Sequence, residues 1–286
     1  MRVQILGILN VTRDSFSDGG RYLAPEQAIA HGRRLVADGA DIIDIGAEAT
    51  NPDAEEVPAD EEIRRLTPVV AALRQEGVRV SVDTCKPAVM RAMLDLGVEI
   101  INDVTGVRDP EAVAVLRHAQ AAIIVMHSTA TGPRAERADA DPQTIVTRVL
   151  DFLRDRVEAL EAAGIARRRL ILDPGMGFFL GRDPQLSLEV LRHLDRLATL
   201  GRPLCVSVSR KSFIGATLGS AAQPRAVAER AAGTLAAELW AAQAGVQYIR
   251  THDVRALRDA LTIWQALHRP SAGALPADLP ERPCGQ

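Results

Sequence analysis

Carboxylate and amide side chains lie inside or at the ends of several short apolar runs of this sequence. A single residue of this kind is most simply interpreted as the cap of a following helix. Several that converge would form a pocket of hydrogen-bond acceptors, which suits a flat heterocycle with adjacent N–H donors, because a carboxylate can accept two parallel bonds. The polar residues are Asp44, Asp83, Asn102 and Asp173, and the apolar walls would be Ile101, Met126 and Phe178.

Basic residues follow the last two apolar runs. Arg210, Lys211 and Ser212 come directly after the seventh run. Arg250 and His252 are two residues apart at the end of the eighth, so we expect both to point in the same direction. Any one of them could be a solvated surface group. Their clustering favours an anion site, because barrels of alternating strands and helices commonly bind phosphate after these two strands.

Lysine is rare in this chain. Among 34 basic residues, only Lys86 and Lys211 are lysine, and the rest are arginine. A compact ammonium group fits a small site differently from the planar guanidinium of arginine. We expect a role in the site for Lys211 and a surface role for Lys86.

Asn10 ends the first apolar run and begins a loop rich in hydroxyl groups and glycine. Its amide oxygen could bind Mg²⁺ together with phosphate oxygens and water. The sequence contains no carboxylate cluster that predicts a metal cage built from protein alone. We therefore expect any metal to arrive with the substrate.

Eight apolar runs alternate with segments of helical length and period, which predicts an α/β protein with eight strand–helix units. Proline marks most helix starts and glycine most helix ends. Eight units favour a single closed (β/α)8 TIM barrel over residues 1–269, with a flexible C-terminal tail at 270–286. The predicted strands are 3–9, 42–45, 78–82, 98–101, 121–126, 170–172, 204–208 and 246–249. The predicted helices are 25–38, 60–76, 87–96, 110–119, 144–163, 184–200, 224–244 and 254–268.

Composition and pattern exclude several classes of protein. A net charge of −3 without a basic block argues against a nucleic-acid partner. No apolar run reaches the length of a membrane span, and no G-x-G-x-x-G follows the first strand. The three cysteines have no paired spacing, and the chain enters a strand almost at once, so we expect a cytoplasmic protein without a signal peptide.

Seven segments together resemble the motifs of dihydropteroate synthase. They occur in that family's order and span almost the whole predicted barrel. The segments are LGILNVTRDSFSDGG (6–20), DIGAEAT-NP (44–52), SVDT (81–84), IINDV (100–104), LDPGMGF (172–178), SRKSFIG (209–215) and RTHDV (250–254).

The resemblance implies a condensation of 6-hydroxymethyl-7,8-dihydropterin diphosphate with p-aminobenzoate and the release of diphosphate. It implies that the leaving group departs before the arylamine attacks, that Mg²⁺ takes part, and that the chain forms a homodimer. Carried across by motif, the catalytic residues are Lys211, Asp83 and Asp173. The pterin-binding residues are Asp83, Asn102, Met126, Asp173, Phe178 and Lys211. The diphosphate-binding residues are Asn10, which also binds the metal, Arg250 and His252. The p-aminobenzoate-binding residues are Thr50, Pro52, Lys211 and Ser212.

Several positions depart from the usual family pattern. The loss of a cation at Asn51 changes the second loop, and Arg13 in the first loop could replace that charge. The other departures are Ala49, Ser128, Thr129, Phe179 and Leu180. The segments around them are similar to the mobile, sulfonamide-insensitive branch of the family, so we expect an arylamine pocket that admits a carboxylate and rejects a sulfonyl substituent.

Two alternatives remain open on the sequence. A pterin-binding methyltransfer domain on the same barrel would need the acidic pocket but no diphosphate site, and the retained cations favour the synthase. A non-catalytic pterin-binding paralogue would be expected to have lost the strand-end residues, which are all present here.

Overall fold

The structure is a computed structural model that describes residues 3–11, 25–130 and 132–268. Most of the first loop with Arg13, and the predicted tail at 270–286, lie outside the described residues. The strands are β1 Gln4–Asn10, β2 Ile42–Gly46, β3 Val80–Asp83, β4 Ile100–Asp103, β5 Ala122–Met126, β6 Leu170–Asp173, β7 Cys205–Val206 and β8 Tyr248–Thr251.

Helices alternate with these strands, and several begin at a capped proline. The carboxylates of Asp109, Asp141 and Asp183 each accept a hydrogen bond from a backbone N–H two residues later, with proline at the first helical position. The helices are α1 Pro25–Ala37, α2 Ala59–Gln75, α3 Pro87–Asp95, α4 Pro110–His118, α5 Pro142–Ala162, α6 Pro184–Arg192, α7 Leu194–Ala198, α8 Ser212–Leu218, α9 Ala231–Gln243 and α10 Val254–His268.

All the strand pairs are parallel, and the strands form one sheet in the order β6-β5-β4-β3-β2-β1-β8-β7. A parallel bridge between Leu172 and Leu204 joins the two outer strands, and Leu172 N–H donates to the Pro203 carbonyl at 2.8 Å. The sheet therefore curls into a nearly closed barrel, and the predicted (β/α)8 TIM barrel is confirmed.

The apolar core has two parts. Alternate strand residues such as Leu6, Ile42 and Ile100 fill the barrel interior with Cys205. The larger part lies between the sheet and the helices, where outward-facing residues such as Ile43 meet the buried stripes of the helices. Such strands are buried on both faces, which explains why they are continuous apolar runs in the sequence.

The segments around β7 differ from the prediction. The predicted helix 184–200 is two helices, α6 and α7, which are interrupted at His193. The predicted helix 224–244 begins as a short 3₁₀ segment, Val227–Arg230, before α9. Helix α8 was not predicted, because its seven residues are too short to show a helical period. None of the helices in the described ranges has the length and apolar content that a membrane crossing requires.

Candidate active site

The predicted acidic residues meet at one rim of the barrel, where the strands end. The register places Gly46 of β2 beside Asp83 of β3, and Asp83 beside Asn102 of β4. Asp44 is fully buried inside the barrel, and the Asn102 side-chain amide donates to its Oδ2 at 3.5 Å. Because parallel strands align their carboxyl ends, residues far apart in sequence become neighbours here.

Arg250 is shared by two of these carboxylates. Its Nε donates to Asp44 Oδ2, and its Nη2 donates to Asp83 Oδ2 at 2.7 Å. The resemblance assigned Asp83 to the pterin ring and Arg250 to the diphosphate of the same substrate, whereas the structure joins the two side chains in one buried cluster. The burial of Arg250 disfavours its charge, but Asp44 and Asp83 outweigh this effect and raise its pKa further above the usual range.

Burial shifts the pKa values of the site residues in opposite directions. It raises the pKa of Asp83 to about 7, an effect that Arg250 opposes. It raises the pKa of Asp173 to about 6, although Gly175 N–H donates to Asp173 Oδ1 at 2.7 Å. It lowers the pKa of Lys211 to about 8, while Asp173 favours the charged form. Strongly perturbed acids and bases in one cleft are a mark of an active site.

A strained turn positions Lys211 after β7. Arg210 has a φ of 59°, a left-handed conformation that is uncommon for a residue other than glycine. The Thr234 hydroxyl accepts from Arg210 N–H at 3.0 Å, and Arg230 Nη1 donates to the Arg210 carbonyl at 2.9 Å. A Cβ added at Gly177 would lie 3.4 Å from Lys211 Cδ, so the loop after β6 contacts Lys211 closely. Backbone strain of this kind often marks a functional position.

A cavity of about 250 Å³ opens beside Lys211. The four residues predicted to bind p-aminobenzoate all line it: Thr50, Pro52, Lys211 and Ser212. Asn51 and Phe178 line it too, as does Arg230, a cation that the sequence reasoning missed. The prediction had placed Arg230 inside a long surface helix, where nothing marks it as a site residue.

The apolar wall of the site is one small cluster of side chains. Met126, which pairs with Asp173 in the sheet, packs with Val104 and Phe179 in a small buried cluster, and Phe178 packs against it. Lys211 Nζ lies 4.9 Å from the centroid of the Phe179 ring. Met126 and Phe178, which were both predicted as apolar walls, therefore share one cluster. Of these two residues, Phe178 lines the cavity.

A loop after β5 braces this wall and the second loop. Arg137 donates to both oxygens of Asp53, at 3.0 and 2.6 Å, and its guanidinium lies 5.4 Å from the centroid of Phe178. The Ala135 N–H donates to the Thr50 carbonyl at 2.9 Å. The second loop has lost the cation that the family usually has at Asn51. Arg137, which the sequence did not single out, places a positive charge next to this loop.

His252 lies one residue beyond the end of β8. Its Nδ1 is 2.9 Å from Ser209 Oγ, and its backbone N–H donates to the same hydroxyl at 3.2 Å. Burial and the nearby charge of Arg250 together lower the pKa of His252 to about 3. The ring is therefore neutral at physiological pH. It contacts Ser209, while Arg250 contacts the carboxylates, so the two side chains expected to point the same way have different partners.

Lys86 is not a surface residue, so the expected surface role is wrong. Its ammonium group donates to Glu48 Oε2 and, at 2.8 Å, to Glu62 Oε2, and its side chain is 19% exposed. Glu62 lies on the buried stripe of α2 four residues before Leu66, which is the signal that could have revealed this cluster. Burial raises the pKa of Glu62, and Lys86 opposes the rise.

His127, which ends the run before the fifth loop, has a structural position. It is 4% exposed, its ring packs edge-on against Phe152 with centroids 5.1 Å apart, and burial lowers its pKa to about 4. Its carbonyl lies so close to Gly175 that an added Cβ would be 2.3 Å from the oxygen. His127 thus packs directly against the loop after β6.

Asn10 is the last residue of β1, exposed beside Gly46. The loop that follows it lies outside the described residues. Within residues 3–11, 25–130 and 132–268, no group of three or more His, Cys, Asp or Glu side chains is arranged to hold a metal ion. An amide oxygen on this rim suits Mg²⁺ that is bound mainly by phosphate oxygens and water.

Known proteins with similar sequences are pterin-binding enzymes. A family model described as "Pterin binding enzyme" matches residues 6–252. The type-2 dihydropteroate synthase of Escherichia coli is 47% identical over 264 residues, which cover 92% of this chain and 95% of that protein. The type-3 dihydropteroate synthase of Escherichia coli is 44% identical over 265 residues, which cover 92% of this chain and 99% of that protein.

A solved structure gives the same result in three dimensions. Dihydropteroate synthase of Xanthomonas albilineans, solved with 4-aminobenzoic acid, superposes with a TM-score of 0.86 at 43% identity and 94% coverage of each chain. The match spans the barrel, and the acidic cluster, the cations and the apolar cavity described above lie within it. The chain therefore belongs to the dihydropteroate synthase family, whose members are transferases.

Proposed function

We propose that this chain condenses 6-hydroxymethyl-7,8-dihydropterin diphosphate with p-aminobenzoate and releases diphosphate. The observation that carries this proposal is the position of Lys211, which lies between the buried acidic cluster and the apolar cavity. A transferase that joins two substrates needs two adjacent sites with a shared boundary, and the residues implied for both substrates meet there.

The acidic cluster supplies acceptors for the pterin ring. Asp83, Asn102 and Asp173 present carboxylate and amide oxygens to the N–H groups of the pterin, and Lys211 donates to its carbonyl side. Met126 and Phe178 give the ring an apolar wall. A donor-rich ligand stabilises the ionised form of Asp173, whose pKa is raised to about 6 in the unliganded protein.

The cationic side binds the diphosphate. Arg250 and the neutral His252 donate to its oxygens, and Arg250 shifts from the carboxylates of Asp44 and Asp83 as the anion enters. Asn10 is the residue we assign to Mg²⁺. The metal would neutralise charge on the leaving diphosphate, in the manner of Mg²⁺ sites that use few protein ligands.

The cavity binds p-aminobenzoate. Thr50, Pro52 and Ser212 line it together with Lys211, and Arg230 supplies a positive charge suited to the carboxylate. The arylamine nitrogen then faces the pterin site, where it attacks the exocyclic carbon.

We further propose a dissociative reaction. The C–O bond breaks first, its electron pair leaves with diphosphate, and the pterin carries a positive charge that the surrounding carboxylates stabilise. The arylamine nitrogen then forms the new C–N bond and loses a proton.

A test uses pterin diphosphate with ¹⁸O in the oxygen that joins the exocyclic carbon to phosphorus. It is incubated with Mg²⁺ and with benzoate, which fills the cavity but has no nucleophilic amine. Reversible cleavage would move the label into non-bridging positions. A wild-type enzyme that makes product from p-aminobenzoate but never scrambles the label would contradict the dissociative step.

We also propose that the chain is insensitive to sulfonamides. Phe178 and Phe179 both line the cavity, and the guanidinium of Arg137 lies 5.4 Å from the centroid of the Phe178 ring. A sulfonamide carries a substituent beyond the point where p-aminobenzoate ends, so a braced aromatic wall rejects it.

The expected result is that sulfamethoxazole binds at least about a hundredfold more weakly than p-aminobenzoate, measured by calorimetry with diphosphate and Mg²⁺ present. Phe178→Ala should reduce the difference in affinity between the two compounds. Phe178→Leu, which keeps most of the side-chain volume, should reduce it less. Comparable affinities of the wild-type chain for the two compounds would refute the proposal.

A further inference from the structure

Helix α9 carries a buried carboxyl group that no part of the proposed reaction uses. Glu238 is 1% exposed, and its Oε1 has no hydrogen-bond partner among the described residues. The hydroxyl of Thr251, at the end of β8, is close enough to the carboxyl group to influence its pKa. It lies beside a cavity of about 150 Å³ under the ends of β7 and β8, where Ser209, Arg210, Thr234 and Asp253 are further wall residues.

A continuous row of polar groups leads from Glu238 to the ring of His252. Thr251 Oγ1 lies 3.5 Å from Ser209 Oγ, and Ser209 Oγ lies 2.9 Å from His252 Nδ1. A backbone N–H group donates to each of the two hydroxyl oxygens. Asp253 N–H donates to Thr251 Oγ1 at 3.2 Å, and His252 N–H donates to Ser209 Oγ at 3.2 Å. Thr251 and Ser209 are both buried.

Counting protons along this row leaves two states. Each hydroxyl has one proton and can accept two hydrogen bonds, of which the backbone occupies one. When Glu238 is protonated, it can donate to Thr251, Thr251 to Ser209, and Ser209 to the bare Nδ1 of His252. The ring proton is then on Nε2, the nitrogen that points away from Ser209.

When Glu238 is ionised, the row reverses. Thr251 must donate to the carboxylate, so Ser209 donates to Thr251 and accepts from a protonated Nδ1. His252 would then present a bare Nε2, which is an acceptor and cannot donate to a phosphate oxygen. The state of one buried acid thus selects between a donor and an acceptor at the site.

Burial favours the first state. It raises the pKa of Glu238 to about 8, with the Thr251 hydroxyl opposing the rise and the charge of Asp253 adding to it. Arg210 is the cation that lines the same cavity. His252 itself is neutral near pH 7, because burial and the charges of Arg250, Arg210, Lys211 and His31 lower its pKa to about 3. The tautomer, and not the charge, is therefore what the row can set.

We propose that Glu238 is a positioning residue that, in its protonated form, acts through Thr251 and Ser209 to hold the ring proton of His252 on Nε2. The inference rests on the proposed function only in its consequence, which is that this N–H donates to the leaving diphosphate. The tautomer is a property of the free protein and can be observed without any substrate.

The test is ¹⁵N spectroscopy of the ring nitrogens, with the His252 signals among the six histidines assigned by a His252→Asn variant. In the wild-type chain, Nδ1 should give a pyridine-type shift and Nε2 a pyrrole-type shift. Glu238→Leu and Thr251→Val each interrupt the row and should move both shifts towards a tautomer mixture. Glu238→Gln and Thr251→Ser keep a donor at each position and should retain the wild-type pattern, which a general loss of packing would not do.

Titration of the same variants with inorganic diphosphate provides a separate readout. Glu238→Leu should bind it more weakly in proportion to the fraction of rings that lose the Nε2 proton, which is about twofold for an equal tautomer mixture, and Glu238→Gln should bind it as the wild-type chain does. A wild-type ring with its proton on Nδ1, or unchanged ring shifts in both Glu238→Leu and Thr251→Val, would overturn the positioning role. If the wild-type chain fails to bind diphosphate, the proposed role of His252 fails, while the ring shifts still decide the role of Glu238.

Discussion

At the scale of single residues, the chemistry of the site comes from burial of charged groups beside one another. Asp83 and Asp173 have raised pKa values because water is excluded, and Lys211 has a lowered one for the same reason. The positions of these residues could be predicted from the sequence, since each follows an apolar run. Their pairing could not: that Arg250 contacts Asp83 depends on how the strands align across the barrel, which the sequence does not display.

The pterin pocket predicts a large effect of Asp173→Asn. The asparagine keeps an oxygen for the Gly175 N–H, so the loop is retained, but it cannot accept two charge-assisted bonds from the pterin. We expect the affinity for the pterin substrate to fall roughly a hundredfold. Calorimetric titration measures this, and an unchanged affinity would remove Asp173 from the pocket.

The cationic side predicts a selective loss. His252→Ala and Arg250→Met should weaken the binding of inorganic diphosphate by roughly tenfold or more each, with little effect on p-aminobenzoate bound in the cavity. Equal losses for both ligands would show that these residues support the rim in general and do not recognise the leaving group. Equilibrium titration with each ligand distinguishes the two outcomes.

At the scale of elements, the loops beyond the strands decide which substrates fit. The strand–helix units were predictable because their periods and proline and glycine boundaries are local. The region after β7 was not, since β7 pairs over only two residues and the chain then enters the strained turn at Arg210. The short helix α8 and the position of Arg230 in the cavity follow from that turn and from contacts with distant loops.

The loop after β6 depends on a glycine. Gly175 has a φ of 71°, and an added Cβ would be 2.3 Å from the His127 carbonyl oxygen. We expect Gly175→Ala to lower the free energy of unfolding by at least about 2 kcal/mol. Gly77→Ala is the matched control, since Gly77 has a φ of 76° with nothing within 4 Å of its added Cβ, and it should cost only about 1 kcal/mol. Urea unfolding measures both, and equal costs would show that the close approach to His127 is unimportant.

At the scale of the whole molecule, the barrel brings together residues that are hundreds of positions apart. The ion pair of Asp44 and Arg250 joins the second and the last strand. Barrel closure was predictable from eight repeated units, whereas the homodimer implied by the resemblance remains a prediction, to be measured as twice the chain mass of 30.8 kDa in sedimentation.

The buried acids also predict how stability depends on pH. The pKa of Asp173 is about 6 in the folded state against 3.8 as its ordinary value, so the folded state binds more protons between these two values. The contribution of Asp173 to the free energy of unfolding therefore falls as the pH rises through about 4 to 6. Asp173→Asn should be more stable than the wild-type chain at pH 7.5, by on the order of 3 kcal/mol, and the difference should shrink towards pH 4. A difference that does not change with pH would contradict the raised pKa.

The most direct measurement is the formation of product by the purified chain from 6-hydroxymethyl-7,8-dihydropterin diphosphate and p-aminobenzoate in the presence of Mg²⁺. Chromatography quantifies 7,8-dihydropteroate while a separate assay quantifies diphosphate. We expect equal amounts of the two products, with neither formed in a Lys211→Met variant at a comparable rate. Diphosphate release without 7,8-dihydropteroate, or no reaction of a folded wild-type chain that binds both substrates, would contradict the proposed function.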